Sequence, residues 1–152
     1  MGWPVEAGGL SAAGPVVLGT LSARVDPEAE RVAVESAHDA GVALLVVNVM
    51  QLPPYPRALA LGGPGAVTLP HEEDYDAVRA TAERAATSGL RVEHLRVTSP
   101  RPAKALVQLA NERGAGLLVL GPALGRVSAG RLRRAARQVR RHAACLVWIV
   151  AG

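Results

Sequence analysis

The sequence predicts an α/β fold, a five-stranded parallel sheet with helices on both faces. Short apolar runs rich in Val and Leu alternate with helical patterns along the chain, as in sheets whose strands are buried on both sides. The composition is 49% hydrophobic but only 3% aromatic, and phenylalanine is absent, so the core must be aliphatic. A length of 152 residues suits one domain, and we predict a flexible leader over residues 1–14 and a single domain over residues 15–152.

The first strand, the first helix and the second strand follow in order. The segment PVVLGT at 15–20 is a short apolar run and predicts a buried strand. Asp26 is a good helix N-cap and the proline after it fits the first helical position, so we expect a helix over 27–40. Gly41 is placed to end this helix, and VALLVVNV at 42–49 predicts a second buried strand.

A long loop separates the second strand from the next helix. The segment 50–70 holds five prolines and three glycines, a composition typical of loops. Alanines and Val78 repeat at helical spacing over 71–88, and Gly89 ends that pattern. LRVEHLRV at 90–97 alternates apolar and polar residues, which indicates a strand with one exposed face near an edge of the sheet.

The last third of the chain continues the alternation of helix and strand. Helical spacing over 102–113 precedes the buried run LLVL at 117–120. An arginine-rich helix over 131–142 then precedes the apolar segment CLVWIV at 145–150. Five strands thus alternate with four helices, and such alternation implies parallel strands joined by right-handed crossovers.

The charge and the pattern of apolar residues limit the classes of protein to which the chain can belong. The net charge is +4 and the sequence pI is about 10.2, a mild basic bias that leaves anionic ligands open without requiring them. No apolar run approaches the ~20 residues that a membrane span needs, and the first residues lack the features of a signal peptide. Cys145 is the one cysteine, so no internal disulfide can form. We predict a cytoplasmic protein.

Three segments of the chain resemble those of one known family. The closing VRRHAACLVWIV is similar to the pattern R-H-A-x-C-P-V-x-V-V, and PAKALVQLANERGAGLLVLG and GVALLVVNVM are similar to other segments of that family. The family is that of universal stress proteins of the UspA type. The resemblance implies a Rossmann-like sheet of the adenine-nucleotide alpha hydrolase type with the first strand central. It also implies a regulatory protein of the stress response rather than an enzyme.

The resemblance further implies a homodimer built through the last strand. Leu146, Trp148 and Val150 would be its contact residues. An exposed edge with the sequence CLVWIV would be prone to aggregation, which independently favours a covered edge. We expect no membrane partner. We also expect no metal, since the four histidines are scattered and share no ligand spacing with Cys145. No base and nucleophile assemble either, so no catalytic residue is expected.

The nucleotide-binding pattern of this family is incomplete in the chain. ATP-binding members carry G-x2-G-x9-G-[ST] after the fourth strand and an acidic residue just after the first. Here three residues separate Gly121 from Gly125, and Ala135–Ala136 stand where the second glycine and the hydroxyl residue would be. Counting back from the RHAAC segment gives Arg133–Arg134 instead, and Thr20 stands at the acidic position. We therefore predict a degenerate site that does not bind ATP tightly.

An altered G-x3-G loop that still binds a nucleotide is the alternative. Backbone N–H groups of a glycine loop can approach a phosphate, and the positive end of the next helix adds to the attraction. ATP or another adenine nucleotide would then be the cofactor; otherwise none is expected. The candidate residues of this nucleotide or anion loop are Thr20, Val49, Gly121, Gly125, Arg126 and Ser128.

Five arginines on the last helix form a second candidate site, the arginine face. At 100° per residue they fall within an arc of about 120°, with Leu132, Ala135, Ala136 and Val139 opposite. A solvated helix face is the plain interpretation; contact with an acidic protein, an anion or nucleic acid is the alternative. Nucleic acid is disfavoured, because no aromatic residues are interleaved for base stacking. The arginine face consists of Arg133, Arg134, Arg137, Arg140 and Arg141.

Overall fold

Five parallel strands form one sheet in the computed structural model, which describes residues 14–21, 24–51, 76–121 and 128–149. The strand order is β3-β2-β1-β4-β5, so the first strand is central and the third and fifth lie at the edges. All four neighbouring pairs are parallel, which confirms the predicted fold class. The strands are β1 (Val16–Leu21), β2 (Leu44–Gln51), β3 (Val92–Ser99), β4 (Leu117–Leu120) and β5 (Leu146–Ile149).

Within the described residues, four helices cover the two faces of this sheet. They are α1 (Pro27–Ala40), α2 (helical over residues 76–87), α3 (Pro102–Glu112) and α4 (Ala129–His142). Buried residues of α1 and α2 pack on one face, and those of α3 and α4 pack on the other. We call these the α1–α2 face and the α3–α4 face. Among the described residues, no helix is long and apolar enough to cross a membrane.

The core is aliphatic on both faces. On the α1–α2 face, Ala29, Ala33 and Ala37 lie against the sheet, and their short side chains let α1 approach it closely. On the α3–α4 face the buried side chains are larger, among them Leu106 of α3 and Val139 of α4. The central strand β1 is buried along its whole length, as a strand covered on both sides must be.

Capping residues determine both ends of the first helix, as predicted. The Asp26 carboxylate accepts hydrogen bonds from the backbone N–H groups of Glu28 (2.8 Å) and Ala29 (3.3 Å). Gly41 adopts the left-handed conformation, with φ of 68°, and the next N–H, that of Val42, donates to the carbonyl of Ala37. Because Val42 completes this helix cap, β2 begins at Leu44 rather than at the predicted residue 42.

Other boundaries shift by one or two residues for similar reasons. Ser128 caps α4 by accepting from the N–H of Arg131 (3.2 Å), so this helix begins at Ala129 and not at residue 131. The N–H of Ala144 donates to the side-chain oxygen of Asn111, which holds a turn and delays β5 to Leu146. Cys145 therefore precedes the strand in which we had placed it, while the alternating burial of β3 confirms the predicted edge strand.

Three predicted features lie outside the described residues. They are the leader up to residue 13, the proline-rich loop beyond residue 51 together with residues 71–75 of the predicted second helix, and the loop 122–127 that follows β4.

Candidate functional site

The carboxyl ends of β1 and β4 lie side by side at the centre of the sheet. From β1 the chain passes to α1 on one face, and from β4 it passes to α4 on the other. Such a divergence opens a crevice outside the strand ends, where ligands bind in open α/β sheets. The candidate residues at the ends of β1 and β4 and at the start of α4 therefore lie at the expected edge.

Gly121 directly follows β4 and lies against the first turn of α1. Its N–H donates to the carbonyl of Gly19 (3.1 Å), and its own carbonyl accepts from the N–H of Asp26 (2.8 Å). A Cβ at position 121 would overlap the Cβ of Ala29. Gly121 is thus required for the close packing of α1 on the sheet, whatever it contributes to a ligand.

Asp26 is the first acidic residue after β1, and its carboxylate is already engaged. It caps α1 through the two N–H groups described above. Thr20, at the position where the family pattern has an acid, is fully buried within β1. No acidic side chain of the described residues is therefore presented from the end of β1 in the way that the family pattern requires.

Thr20 and Val49, which we had grouped in one site, point to opposite faces of the sheet. Thr20 pairs with Asn48 on β2, whereas Val49 pairs with Leu21. Val49 and Leu21 belong to the core of the α3–α4 face, and alternation along the strand puts Thr20 and Asn48 on the α1–α2 face. Asn48 is fully buried, and neither polar atom of its amide has a hydrogen-bond partner among the described residues.

The second half of the family pattern falls inside a helix. Ser128 is the N-cap of α4, and Gly125 and Arg126 lie outside the described residues. Arg133 and Arg134 occupy the fifth and sixth positions of α4. Backbone N–H groups beyond the fourth helical residue are bonded within the helix, so they are not available to a phosphate.

A cavity of about 240 Å³ opens between the first turns of α3 and α4. Buried Leu21 and Ala103 lie at its base. Four exposed cations line it, two from the start of α3 and two from α4, and we call this cavity the basic cleft. The cations of the basic cleft are Arg101, Lys104, Arg131 and Arg134.

A second cavity of about 490 Å³ continues the basic cleft along the two helices. Arg101, Lys104 and Gln138 line both cavities, and Gln108 and His142 line the far one. Arg101 and Lys104 are not among the candidate residues predicted from the sequence. The predicted topology does indicate them, because α3 follows β3 and must begin at the same carboxyl edge of the parallel sheet as α4.

The arginine face is exposed over its whole length. Leu132, Ala136 and Val139 are buried on the opposite side of α4, as the helical pattern predicted. Arg133, Arg134, Arg137, Arg140 and Arg141 are all exposed, and none of the five forms an ion pair with a described residue. Of these, only Arg134 also lines the basic cleft.

The last strand presents an apolar edge. Leu146 is 73% exposed, and Trp148 is half-buried against the core of the α1–α2 face. Val147 and Ile149 point the other way, toward the core beneath α4. Val150 lies outside the described residues. Leu146 and Trp148 thus share the side of β5 that α4 does not cover.

The remaining reactive side chains form no further centre among the described residues. No group of three or more His, Cys, Asp or Glu side chains is placed there to hold a metal ion. Cys145 is half-buried, and burial raises the pKa of its thiol, which disfavours the reactive thiolate. Burial is also the main cause that lowers the pKa of His94, and the nearby Arg79 and Arg96 lower it further.

The central first strand, the crevice beside it and the helices on both faces define an α/β domain of the adenine-nucleotide alpha hydrolase type. The model of the Universal stress protein family matches residues 14–151. The chain therefore belongs to the universal stress protein family.

Solved structures agree with this assignment. A universal stress protein in complex with cAMP is 27% identical, with 91% of this chain and 97% of that chain covered and a TM-score of 0.60. UspA from Lactobacillus plantarum is 21% identical over 91% of this chain and 98% of its own, with a TM-score of 0.67. The Archaeoglobus fulgidus protein in complex with dAMP is 22% identical over 91% and 98%, with a TM-score of 0.62. No significant relative is found among curated protein sequences.

Proposed function

We propose that this protein is a non-catalytic regulatory member of the universal stress protein family that does not bind ATP tightly. One observation carries the proposal: the residues that stand where the ATP-binding pattern has a glycine and a hydroxyl residue lie inside α4 in either register, as Arg133–Arg134 or as Ala135–Ala136. Their N–H groups are bonded within the helix, so this position lacks the free backbone donors that a glycine supplies to a phosphate. The cytoplasmic location stays a prediction from the sequence.

The end of β1 supports the same proposal. Thr20 is buried on the α1–α2 face, and Asp26 is engaged as a helix cap. An adenine nucleotide stays the alternative ligand, and the relative solved with cAMP makes a mononucleotide the form to test. Such a ligand has one phosphate group, so it would depend less on the second half of the glycine pattern.

We also propose a homodimer built through β5. An edge strand carries unpaired backbone groups, and here it adds the exposed Leu146 beside Trp148. Pairing with a second copy would cover both the backbone and this apolar side. Leu146→Asp should convert the dimer to a monomer in light scattering after size exclusion, whereas Ala86→Asp, which adds the same charge at an exposed position of α2, should leave it a dimer. A monomeric unaltered protein would refute this part of the proposal.

Contact of the arginine face with an acidic protein is the second candidate function. Its five arginines carry no neutralising acid among the described residues, and like charges on adjacent helical turns repel. An acidic partner would relieve that repulsion. Retention of a partner by the unaltered protein and its loss in Arg137→Glu would support this contact, and equal behaviour of the two would reject it.

The test of the main proposal is calorimetric titration with ATP, with and without magnesium, and with cAMP in parallel. We expect no saturable heat at about millimolar ATP, which corresponds to binding weaker than about −4 kcal/mol. ATP turnover should also stay at the level of buffer alone. Micromolar affinity for ATP would show that the altered loop binds phosphate, and the proposal would be wrong.

A further inference from the structure

The basic cleft brings together cations that are far apart in the sequence. Arg101 and Lys104 come from the start of α3, and Arg131 and Arg134 come from the first turns of α4. Its base is apolar and buried, formed by Leu21 and Ala103. Among the described residues that line this cavity, none is acidic. The cleft therefore concentrates positive charge in a concave site.

Three of these four cations form no ion pair within the described part of the chain. The ion pairs there involve Arg31, Arg79, Arg84 and Arg113, all outside the cleft. Arg101, Lys104 and Arg134 form none of them. Like charges that converge from two helices raise the energy of the empty cleft, and an anion bound between them would lower it.

The chemistry of the side chains favours phosphate. A guanidinium binds two phosphate oxygens at once through its planar fork, and a lysine adds a mobile point charge. The start of α3 adds to the attraction, since Arg101 caps that helix without any side-chain hydrogen bond to its N–H groups. Three or more cations suit a ligand with more than one phosphate group.

The lining also indicates which part of a ligand is recognised. No Phe, Tyr or Trp occurs among the described residues that line the cleft or the cavity that continues it. A nucleobase would therefore find none of these three larger rings to stack on there. Gln108, Gln138 and His142 line the continuation and could hydrogen-bond a polar organic group.

We infer that the basic cleft binds a small molecule carrying two or more linked phosphate groups, recognised through those phosphates and not through a base. This site goes beyond the function proposed above. Binding in the cleft requires neither the glycine loop after β4 nor an acid at the end of β1. The cleft can therefore bind its ligand even though the incomplete family pattern does not bind ATP tightly.

The test is calorimetric titration with inorganic pyrophosphate at fixed ionic strength. We expect one saturable site per chain, and a loss of about tenfold or more in affinity in the double variant Lys104→Gln/Arg134→Gln. The matched control is Arg137→Gln/Arg140→Gln, which removes the same charge from the arginine face outside the cleft and should change the affinity less than about twofold. Lys104→Arg keeps the charge and should keep most of the binding.

Three outcomes would overturn the inference. They are the absence of saturable binding to the folded protein, an equal loss in the cleft and control variants, and tighter binding of a glutamate-rich peptide than of pyrophosphate at the same site. All four side chains are exposed, so circular dichroism should find every variant folded.

Comparison with ATP separates this inference from the proposed function. Saturable binding of pyrophosphate that the cleft variant weakens, with no saturable heat from ATP at about millimolar concentration, would support both. If neither binds, the cleft inference fails and the proposed function stands. If ATP binds at micromolar concentration and pyrophosphate does not, both fail.

Discussion

The two faces of the sheet carry similar helix pairs but opposite electrostatics. On the α1–α2 face, α1 holds four acidic residues and one arginine, and Arg31 pairs with both Glu28 and Glu35. On the α3–α4 face, α4 holds six arginines and no acid. Both sides have a groove between their helices, so shape alone does not distinguish them.

The charges at the two grooves do distinguish them. The groove between α1 and α2, about 310 Å³, is bridged by Arg84 of α2 and Glu30 of α1 at 2.8 Å. The basic cleft between α3 and α4 has cations from both helices and no bridging acid among its described residues. An internal ion pair neutralises charge in the first groove, whereas no acidic residue of the described part of the chain lines the second. This contrast is why we assign binding to the α3–α4 face.

The largest expected effect concerns the close packing of the α1–α2 face. Gly121→Ala puts a methyl group into Ala29, and overpacking of this kind costs about 1–3 kcal/mol in the free energy of unfolding. Gly130→Ala is the matched change in α4, where a Cβ meets nothing within 4 Å, and it should stabilise the protein by up to about 1 kcal/mol. Denaturant unfolding of both variants measures the difference.

A double variant checks the cause of that effect. Ala29→Gly removes the methyl group that position 121 would meet, so it should recover part of the loss in Gly121→Ala. Equal stability of Gly121→Ala and Gly130→Ala would show that α1 is not packed as closely as described.

A smaller effect should separate paired from unpaired arginines. Arg84→Gln breaks the bridge to Glu30 and should lower the free energy of unfolding by up to about 1 kcal/mol. Arg137→Gln removes a charge that has no acidic partner among the described residues, and the change should stay within about 0.5 kcal/mol. Thermal unfolding at low and high salt would measure both. A larger loss in Arg137→Gln would mean that the arginine face stabilises the fold.

The smallest expected effect is a dependence of the free energy of unfolding on pH, caused by a histidine on the α1–α2 side of the sheet. Burial, then Arg79 and Arg96, lower the pKa of His94, while Glu83 opposes the shift. The unfolded chain therefore takes up this proton at a higher pH than the folded one, and stability should fall as the pH drops below about 6.5. His94→Gln should flatten this slope in unfolding measured between about pH 7.5 and 5. An unchanged slope would assign it to other groups.

Features that depend on local pattern could be predicted from the sequence. The order of elements, the Asp26 cap, the glycine at 41 and the edge position of β3 all follow from short-range signals, and the structure confirms them. The grouping of Thr20 with Val49 stays a prediction, and the register adds that the two side chains point to opposite faces of the sheet, since Thr20 pairs with Asn48.

The basic cleft could not be read from local signals. Its cations come from positions thirty residues apart, Arg101 and Arg131 among them, and they meet only because α3 and α4 begin at the same edge of the sheet. The arginine face was predictable as a pattern on a single helix. The contribution of α3 required the relative placement of two helices.

The most direct test of the contrast between the two faces is a map of backbone amide chemical shifts in the unaltered protein during titration with pyrophosphate. We predict that the shifts centre on residues 101–104 and 131–138, while the amides of α1 and α2 stay in place. Shifts centred on α1 and α2, or spread evenly over both faces, would contradict the assignment of anion binding to the α3–α4 face.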